Sequence, residues 1–487
     1  MRSWIAGLVL TGMAAGAGRA GAQEPAATNA PAEIVVTATR LATDPLTTPA
    51  TVHAIDGLEL NARRAFRTTP DALQGVPSAM IQKTSQGQGS PFLRGFTGFR
   101  TLMLIDGIRL NNAVFRDGPN QYWNTVDPLS LRGMEVVMGP SSVLYGSDAI
   151  GGTVNALPVQ PPPAGGPDLT GRAYYRYSSA EDSHTGRLQA GGRVDERTGF
   201  VVGLTMKDYG DVEGGDEVGG QPHTGYDEWD ADAMITRELG DRGRLTLGHQ
   251  TVRQNDAWRT HRTIHGIDWE GLAHGTDKVL AYDQARDLTW ATLTAKEPGS
   301  FVDDVRVTVY RHSQAEDEYR VKSDDSASLK GFDVVTWGAS LQFESDTDLG
   351  RWVYGAEYSR DLVDSTSDRL RADGSVSRSD IQGPVGDDAT YDMLGAYVQD
   401  IVPLADGRLQ VIPGVRYTYS RAEADRVQDP VSGDAMSVGG DWDAVVGSLR
   451  ASLALDREER VAVFAGASQG FRAPNLSDLT RLDIARS

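Results

Sequence analysis

The sequence predicts a mainly β chain in which a compact α/β domain precedes an antiparallel transmembrane β-barrel. Three observations predict it. After an N-terminal export signal there is no run of about twenty apolar residues, so a membrane crossing must use strands closed into a barrel. The back two-thirds of the chain alternates apolar and polar residues with period two. The connections between those strands alternate short and long, an asymmetry that outer-membrane barrels show and soluble sandwiches do not.

The elements follow in order. Arg2, the small apolar stretch 5–17 and the small-x-small triplet Ala20-Gly21-Ala22 form a secretory signal, 1–22, with cleavage expected between Ala22 and Gln23. A short Ala- and Pro-rich stretch follows, and then the β-branched run Glu33-Ile34-Val35-Val36-Thr37-Ala38-Thr39 stands in polar sequence. Such a run is either a segment awaiting a sheet edge or the first strand of the next domain. Residues 41–157 read as the α/β domain. Thr69-Pro70-Asp71 opens a short helix, and the apolar runs at 80–81, 101–105 and 134–137 are separated by glycine turns. The Pro- and Gly-rich stretch 158–168 marks a boundary.

From 169 to 487 the strands dominate. Leu409, Val411, Val415 and Tyr417 oppose Gln410, Gly414, Arg416 and Thr418; Val445, Leu449 and Leu453 oppose Val446, Arg450 and Ser452. Trp337, Leu341 and Phe343 oppose Thr336, Ser340 and Gln342 in the same way. Turns are expected at 195–199, 240–243, 297–299, 346–350, 405–407 and 456–459, and long outer loops at 210–225, 254–285, 313–330, 364–390 and 422–440. Trp229, Trp290, Tyr310, Tyr358 and Tyr391 suit interfacial girdles or core positions. The pattern gives roughly thirteen strands. An odd antiparallel count cannot close, so the expectation is a partial barrel from a sequence that stops early.

Composition narrows the function. The chain has no cysteine, hence no disulfide frame and no thiolate metal site. A net charge of −20 argues against nucleic acid; it reads as solvation rather than as cation-holding loops. No nucleophile elbow or Walker loop is present, so no enzymatic activity and no cofactor are expected.

Particular residues then meet a known family. Phe92-Leu93-Arg94-Gly95-Phe96, the turn Asp106-Gly107, and the long run from Glu135 to Asn155 that contains Gly139, Pro140, Tyr145, Gly146, Gly151 and Gly152 resemble the plug signature of TonB-dependent outer-membrane receptors. Residues Glu33, Ile34, Val35, Val36, Thr37 and Ala38 are similar to the TonB box, placing it in a periplasmic segment 23–40. Tyr397-Val398-Gln399-Asp400 resembles a recurrent barrel strand, and Phe471-Arg472-Ala473-Pro474 resembles a mid-barrel motif. The resemblance implies a plug inside a barrel of about twenty-two strands, of which some nine are missing here. It implies uptake of a scarce solute, most simply a ferric siderophore, with haem or cobalamin as alternatives. Ligand binds outside, the box is released, and the box pairs as a strand with TonB, which supplies work from the inner membrane. An outer-membrane monomer in contact with lipid is expected. One departure stands out: Met138 occupies a place that is usually basic and tied to barrel carboxylates, leaving Arg94 or Arg132 to replace it.

For the ligand, Arg116, Tyr122 and Trp123 lie in expected apical loops, where they would receive an anionic aromatic chelate or else pack against the wall. His261, His265 and His274 share one long loop and are a weak set of haem or metal ligands. A signal transducer would need a further domain before the box. A passive pore would need neither box nor plug. A nonfunctional fragment is the remaining alternative.

Overall fold

The computed structural model describes residues 37–43, 48–64, 66–268, 270–297, 299, 301–456 and 461–481. The export signal and Glu33, Ile34, Val35 and Val36 lie outside the described residues.

The front domain is built on sheet with short helical segments, among them α1 (Ser142–Tyr145). Strands β1 (Thr51–Asp56), β4 (Leu102–Ile105), β5 (Ile108–Arg109), β6 (Leu131–Met138) and β7 (Gly152–Pro158) form one sheet in the order β1-β6-β7-β4-β5, with β4 and β7 parallel. A separate hairpin joins β2 (Ala79–Ser85) and β3 (Gln88–Leu93). The expected helix at Thr69 is a 3₁₀ segment, Thr69–Gly75. Its start is set by Pro70 and by a capping box in which Thr68 and Asp71 satisfy each other's backbone. Between β4 and β5, Asp106 (φ 48°) and Gly107 (φ 82°) are both left-handed, as a two-residue hairpin turn with the strand twist demands.

The second sheet holds the rest. Its strands are β8 (Leu169–Ser178), β9 (Ser183–Asp195), β10 (Thr198–Tyr209), β13 (Tyr226–Leu239), β14 (Gly243–Trp258), β15 (Val279–Lys296), β16 (Asp304–Val321), β17 (Ala327–Asp346), β18 (Arg351–Leu370), β20 (Asp387–Leu404), β21 (Leu409–Gln428), β22 (Ala435–Ala454) and β23 (Ala462–Ser468). Each pairs antiparallel with the next. Two small loop elements, the hairpin β11 (Val212–Glu213) with β12 (Gly220–Gln221) and the strand β19 (Val376–Ser379) beside β18, complete the set. Thus thirteen strands run in sequence, as expected, with β8 and β23 as the two edges; among the described residues the barrel is not closed. The segment 158–168 is the link between β7 and β8.

Exposure shows which face is which. On β21, Val415 and Tyr417 are each 43% exposed while Arg416 and Thr418 between them are 0% and 1% exposed. Val445, Leu449, Trp337, Leu394 and Leu247 are likewise bare, and Arg187, Arg286 and Arg450 are covered. A soluble sandwich hides its greasy face; this sheet hides its polar face against the front domain, which fills the lumen, and bares the apolar one. No helix among the described residues is long and apolar enough to cross a membrane.

One expectation needs correction. Strands β16, β17, β18, β21 and β22 are 18–20 residues long, about twice what a tilted strand needs to span. The expected loops at 313–330 and 422–440 are therefore mostly ladder, and the outer connections shrink to 322–326 and 429–434; the β8–β9 link is also short. Hydrogen-bonded strands persist beyond lipid because the ladder satisfies the backbone in water equally well. Among the aromatic residues, Trp229 and Tyr358 do face outward, but Trp290 and Tyr391 point into the core. Their strand parity decides this, since Thr289 and Leu394 occupy the outer face.

Candidate functional site

Thr37, which ends the described part of the β-branched run, is held from three sides. Its N–H donates to Glu135 Oε2 at 2.7 Å, and its hydroxyl donates to the same oxygen. Tyr145 donates its hydroxyl to the Thr37 carbonyl at 2.9 Å, and Asn155 donates to Thr37 Oγ1 at 3.0 Å. Asn155 also accepts the Gly107 N–H, coupling this clasp to the β4–β5 turn. Burial drives the Tyr145 hydroxyl well above its ordinary range, so it stays a donor. Ala38 is fully buried, and its carbonyl accepts from Arg450 on β22. Arg40 then reaches Glu357 on β18 at 3.1 Å, donates to the Leu144 carbonyl at 2.6 Å, and lies over the rings of Tyr145 and Tyr397.

The inner domain is bolted to one wall by charge. Asp127, buried, takes Lys207 at 3.2 Å, Arg187 at 3.4 Å and the Thr205 hydroxyl at 2.7 Å. Glu228, Asp230 and Asp232 on β13 complete the cluster around those two cations. Burial alone would raise the Asp127 carboxyl; Lys207 and Arg187 outweigh it and hold the group below the usual carboxylate range. Arg286 adds a hydrogen bond to the Thr125 carbonyl at 2.6 Å.

The stretch of wall two strands further on, β16 to β20, is looser. Three cavities lie along it. The outer one, about 230 Å³, is lined by Val114, Arg116, Gln121 and Tyr122 from the inner domain. A small separate cavity of about 20 Å³ lies at Arg109, Asn112, Asp148, Tyr310 and Asp361. An inner cavity of about 200 Å³ reaches Arg40 and Glu135, beside the clasp. Between the outer two, segment 112–114 is tied to the wall by Asn112 to Gln314 (2.8 Å) and by the Ala113 N–H to Asp361 (2.8 Å). From above, the strap after β23 and the turn α2 (Leu476–Thr480) rest on the same segment through the Leu476 N–H to the Ala113 carbonyl at 3.1 Å.

The outer cavity is a basic vestibule in an acidic protein. Arg116, Arg259, Arg320, Lys330 and Arg481 face Glu316, Glu318 and Asp380, with Tyr122, Tyr282 and Phe332 between them. Arg116 and Arg259 share Gln121 Oε1, at 2.8 and 2.6 Å, and Arg259 lies over the Tyr282 ring. Burial pushes the Tyr122 hydroxyl up to about 12. Arg116 and Tyr122 thus line the vestibule, whereas Trp123 is 1% exposed and belongs to the core.

Two family models match the chain: the TonB-dependent Receptor Plug Domain over residues 44–153 and the TonB dependent receptor-like β-barrel over residues 181–483. The chain belongs to the TonB-dependent receptor family. Barrels of this family are outer-membrane proteins, and its members are receptors and transporters rather than enzymes. The Hemin receptor of Yersinia pestis is 22% identical over 92% of this chain and 61% of its own length. The Iron-regulated outer membrane virulence protein of Vibrio cholerae is 36% identical over 27% of this chain and 20% of its own. Among solved structures, the FpvAI–pyocin S2 complex superposes with a TM-score of 0.70 at 16% identity, covering 90% of this chain and 60% of that one. The FrpB iron transporter of Neisseria meningitidis gives 0.69 at 15%, covering 88% and 65%. The chain therefore spans about three-fifths of the length of relatives it matches end to end.

The plug motif residues concentrate on the clasp. Glu135, Tyr145 and Asn155 touch Thr37 directly, and Asp106 and Gly107 form the turn behind it. Pro140 accepts Arg450 through its carbonyl, and at Gly146 a Cβ would come within 2.9 Å of the Arg416 guanidinium. Gly95 sits in the turn after β3, Gly139 just past β6, and Gly151 and Gly152 where β7 begins. Met138 is buried at the end of β6. Arg94 is exposed and lies against Gly139 within the plug, and Arg132 is exposed at the inner cavity. The ties to the barrel come instead from Arg40, Arg187, Lys207 and Arg416, so here the barrel supplies most of the cations. The sequence offered no sign of this, because each partner lies far away along the chain. The Phe471-Arg472-Ala473-Pro474 motif follows β23 as the strap over the plug, with Arg472 stacked on Phe99 at 3.7 Å.

The three candidate histidines have different surroundings. His261 is bonded to the Thr84 carbonyl of the plug at 2.9 Å, and burial with Arg259 and Arg262 nearby holds its imidazole below the usual range. His274 pairs with Asp268 at 2.7 Å. His265 instead meets His223, which sequence reasoning did not single out.

Proposed function

We propose that this chain is the plug-bearing part of an energised uptake receptor for an anionic, aromatic metal chelate, most simply a ferric siderophore. The vestibule carries the reading: five cations against three carboxylates, with aromatic rings between them, in a chain of net charge −20. Arg116 offers a planar guanidinium to an anionic group, and Tyr122 and Tyr282 offer ring faces. In this reading a solute bound there moves inward when segment 112–114 leaves Gln314 and Asp361. Work arriving at residues 33–38 reaches Thr37 first, and the clasp passes it to Glu135, Asn155 and the β4–β5 turn that line the inner cavity. TonB pairing as an added strand would deliver that work. The export signal 1–22, an outer-membrane monomer and contact with lipid belong to the same reading.

Haem is the second reading, favoured because the hemin receptor matches along 92% of this chain. Deleting residues 33–38 tests the whole: surface binding of the chelate should survive while uptake is lost. Uptake that persists without those residues would overturn the energised mechanism.

A further inference from the structure

On the bare face of the sheet, His249, Thr289, Arg311, Trp337, Arg360 and Asp392 stand side by side in register across neighbouring strands from β14 to β20. The row beneath, nearer the short turns, is Leu247, Ala291, Val309, Ala339, Tyr358 and Leu394. In the upper row most polar groups satisfy one another. His249 bonds Thr289 at 2.8 Å, and Asp392 accepts the Tyr358 hydroxyl at 2.5 Å and pairs with Arg360 at 3.7 Å. Elsewhere on this face Arg253 is held by both oxygens of Asp287, at 2.9 and 2.8 Å, and Arg421 by Glu423. Arg311 differs. Its guanidinium lies 5.9 Å from the centre of the Trp337 ring, and among the described residues it pairs with no carboxylate.

Beneath Arg311 the wall is hollowed. Ala291, Val309 and Ala339 are short, while Ile235 and Leu247 stand on one side of them and Trp337 and Tyr358 on the other. Together they shape an open groove of about 820 Å³. Three outward apolar residues of β16, Val305, Val307 and Val309, separate Arg311 from the turn at 297–303. Along a tilted strand the rise from Asp304 to Arg311 is about 18 Å, which places Arg311 in the outer part of an apolar band about 25 Å tall. From there a guanidinium reaches the headgroups while its stem stays against hydrocarbon. An ionisable side chain on a lipid-facing wall is costly without a partner, and Arg311 has none of its own.

An uncompensated cation at headgroup level and an apolar groove running down from it call for one occupant with both an anion and a chain. A second copy of this face would have to offer Arg311 a carboxylate, and the row holds only Asp392, already engaged by Arg360 and Tyr358. A phosphate ester on a lipid supplies charge and chain in one molecule, and a guanidinium matches its oxygens two at a time. We propose that Arg311 and the groove beneath it seat one phosphorylated lipid of the outer leaflet. Arg311 takes the phosphate, Trp337 flanks the headgroup, and an acyl chain lies over Ala291 and Ala339 between Leu247 and Tyr358. The orientation of this face toward the outer leaflet rests on the receptor reading above.

The test offers the purified full chain, in detergent, three lipids: lipid A, lipid A stripped of its phosphates, and phosphatidylethanolamine. Native mass spectrometry counts the molecules each chain retains. One lipid A per chain should be retained in preference to the other two. Arg311→Ala should weaken that retention about tenfold, and Arg311→Lys should recover part of it, since charge returns without the planar fork. Ala291→Phe fills the groove from the lipid side, where no core packing is disturbed, and should also weaken retention. Arg421→Ala, whose cation already has Glu423, should leave it unchanged. Equal retention of all three lipids, retention that survives Arg311→Ala, or a dimer of the chain that Ala291→Phe breaks would each overturn the seat. Lost retention in a chain that still enters detergent and still imports through residues 33–38 removes the seat alone. A chain that stays soluble without detergent overturns the seat and the receptor reading together.

Discussion

The plug meets its barrel in two different ways. Toward β9, β10 and β13 it is fastened by a buried charge cluster in which Asp127 serves Lys207 and Arg187 at once. Toward β16, β17, β18 and β20 it leaves cavities, and apart from the Arg40–Glu357 pair beside the clasp and the part-exposed Asp106–Arg306 pair its contacts are single hydrogen bonds such as Asn112 to Gln314 and Ala113 to Asp361. A buried ion cluster adds little net stability, yet breaking it by removing one partner is expensive. Isolated hydrogen bonds contribute about 1 kcal/mol each and can be exchanged for water. The first wall is thus suited to hold the plug in register and the second to open. The clasp on Thr37 lies beside the inner cavity of the second wall, so a pull on the N-terminal segment loads the side that can yield.

Substitutions on the two walls should separate by size. Lys207→Ala leaves the buried carboxylates of Asp127, Glu228 and Asp230 without their shared cation and should destabilise the plug–barrel unit by about 3–5 kcal/mol, read by thermal unfolding and by protease cutting of the plug. Arg306→Ala, which removes the part-exposed pair with Asp106 on the loose wall, should cost no more than about 1 kcal/mol in the same assays. Equal costs would erase the distinction. Acid offers a second separation. The folded Asp127 carboxyl lies below its ordinary value of 3.8, so its contribution is complete above that pH and is lost as pH falls through the lower folded value. Protease sensitivity of the plug should therefore rise only below about pH 3.8, and Asp127→Asn should remove that acid limb. At the clasp, Glu135→Gln weakens a charge-assisted bond to the Thr37 N–H. Ligand-free capture of residues 33–38 by a TonB fragment should rise about tenfold. Arg132→Ala, at an exposed position outside both fastenings, should shift stability by less than about 0.5 kcal/mol.

Much of the fold was legible because side-chain parity is local. Val415 against Arg416 is visible in two adjacent letters, and thirteen repetitions of that contrast gave the strands. The outer ends of the strands were not legible: Glu316, Glu318 and Arg320 point inward while Asp317 points outward, so both faces are polar and alternation loses its contrast. The plug signature located Glu135, Tyr145 and Asn155, but no sequence pattern said that all three converge on Thr37. Arg116 and Tyr122 could be placed near ligand from their apical position, whereas Trp123, two residues from Gln121, turned into the core. The charge cluster on Asp127 and the pair His223–His265 depend on contacts between distant segments, and only the folded sheet brings them together.

The account depends most on which wall opens. The chain has no native cysteine, so Ala113→Cys with Asp361→Cys would introduce a single disulfide across the seam. Oxidised, this variant should bind chelate at the surface and fail to import it, and reduction should restore import. Import that proceeds with the disulfide intact would show that the solute does not pass between segment 112–114 and β18, and would contradict the account.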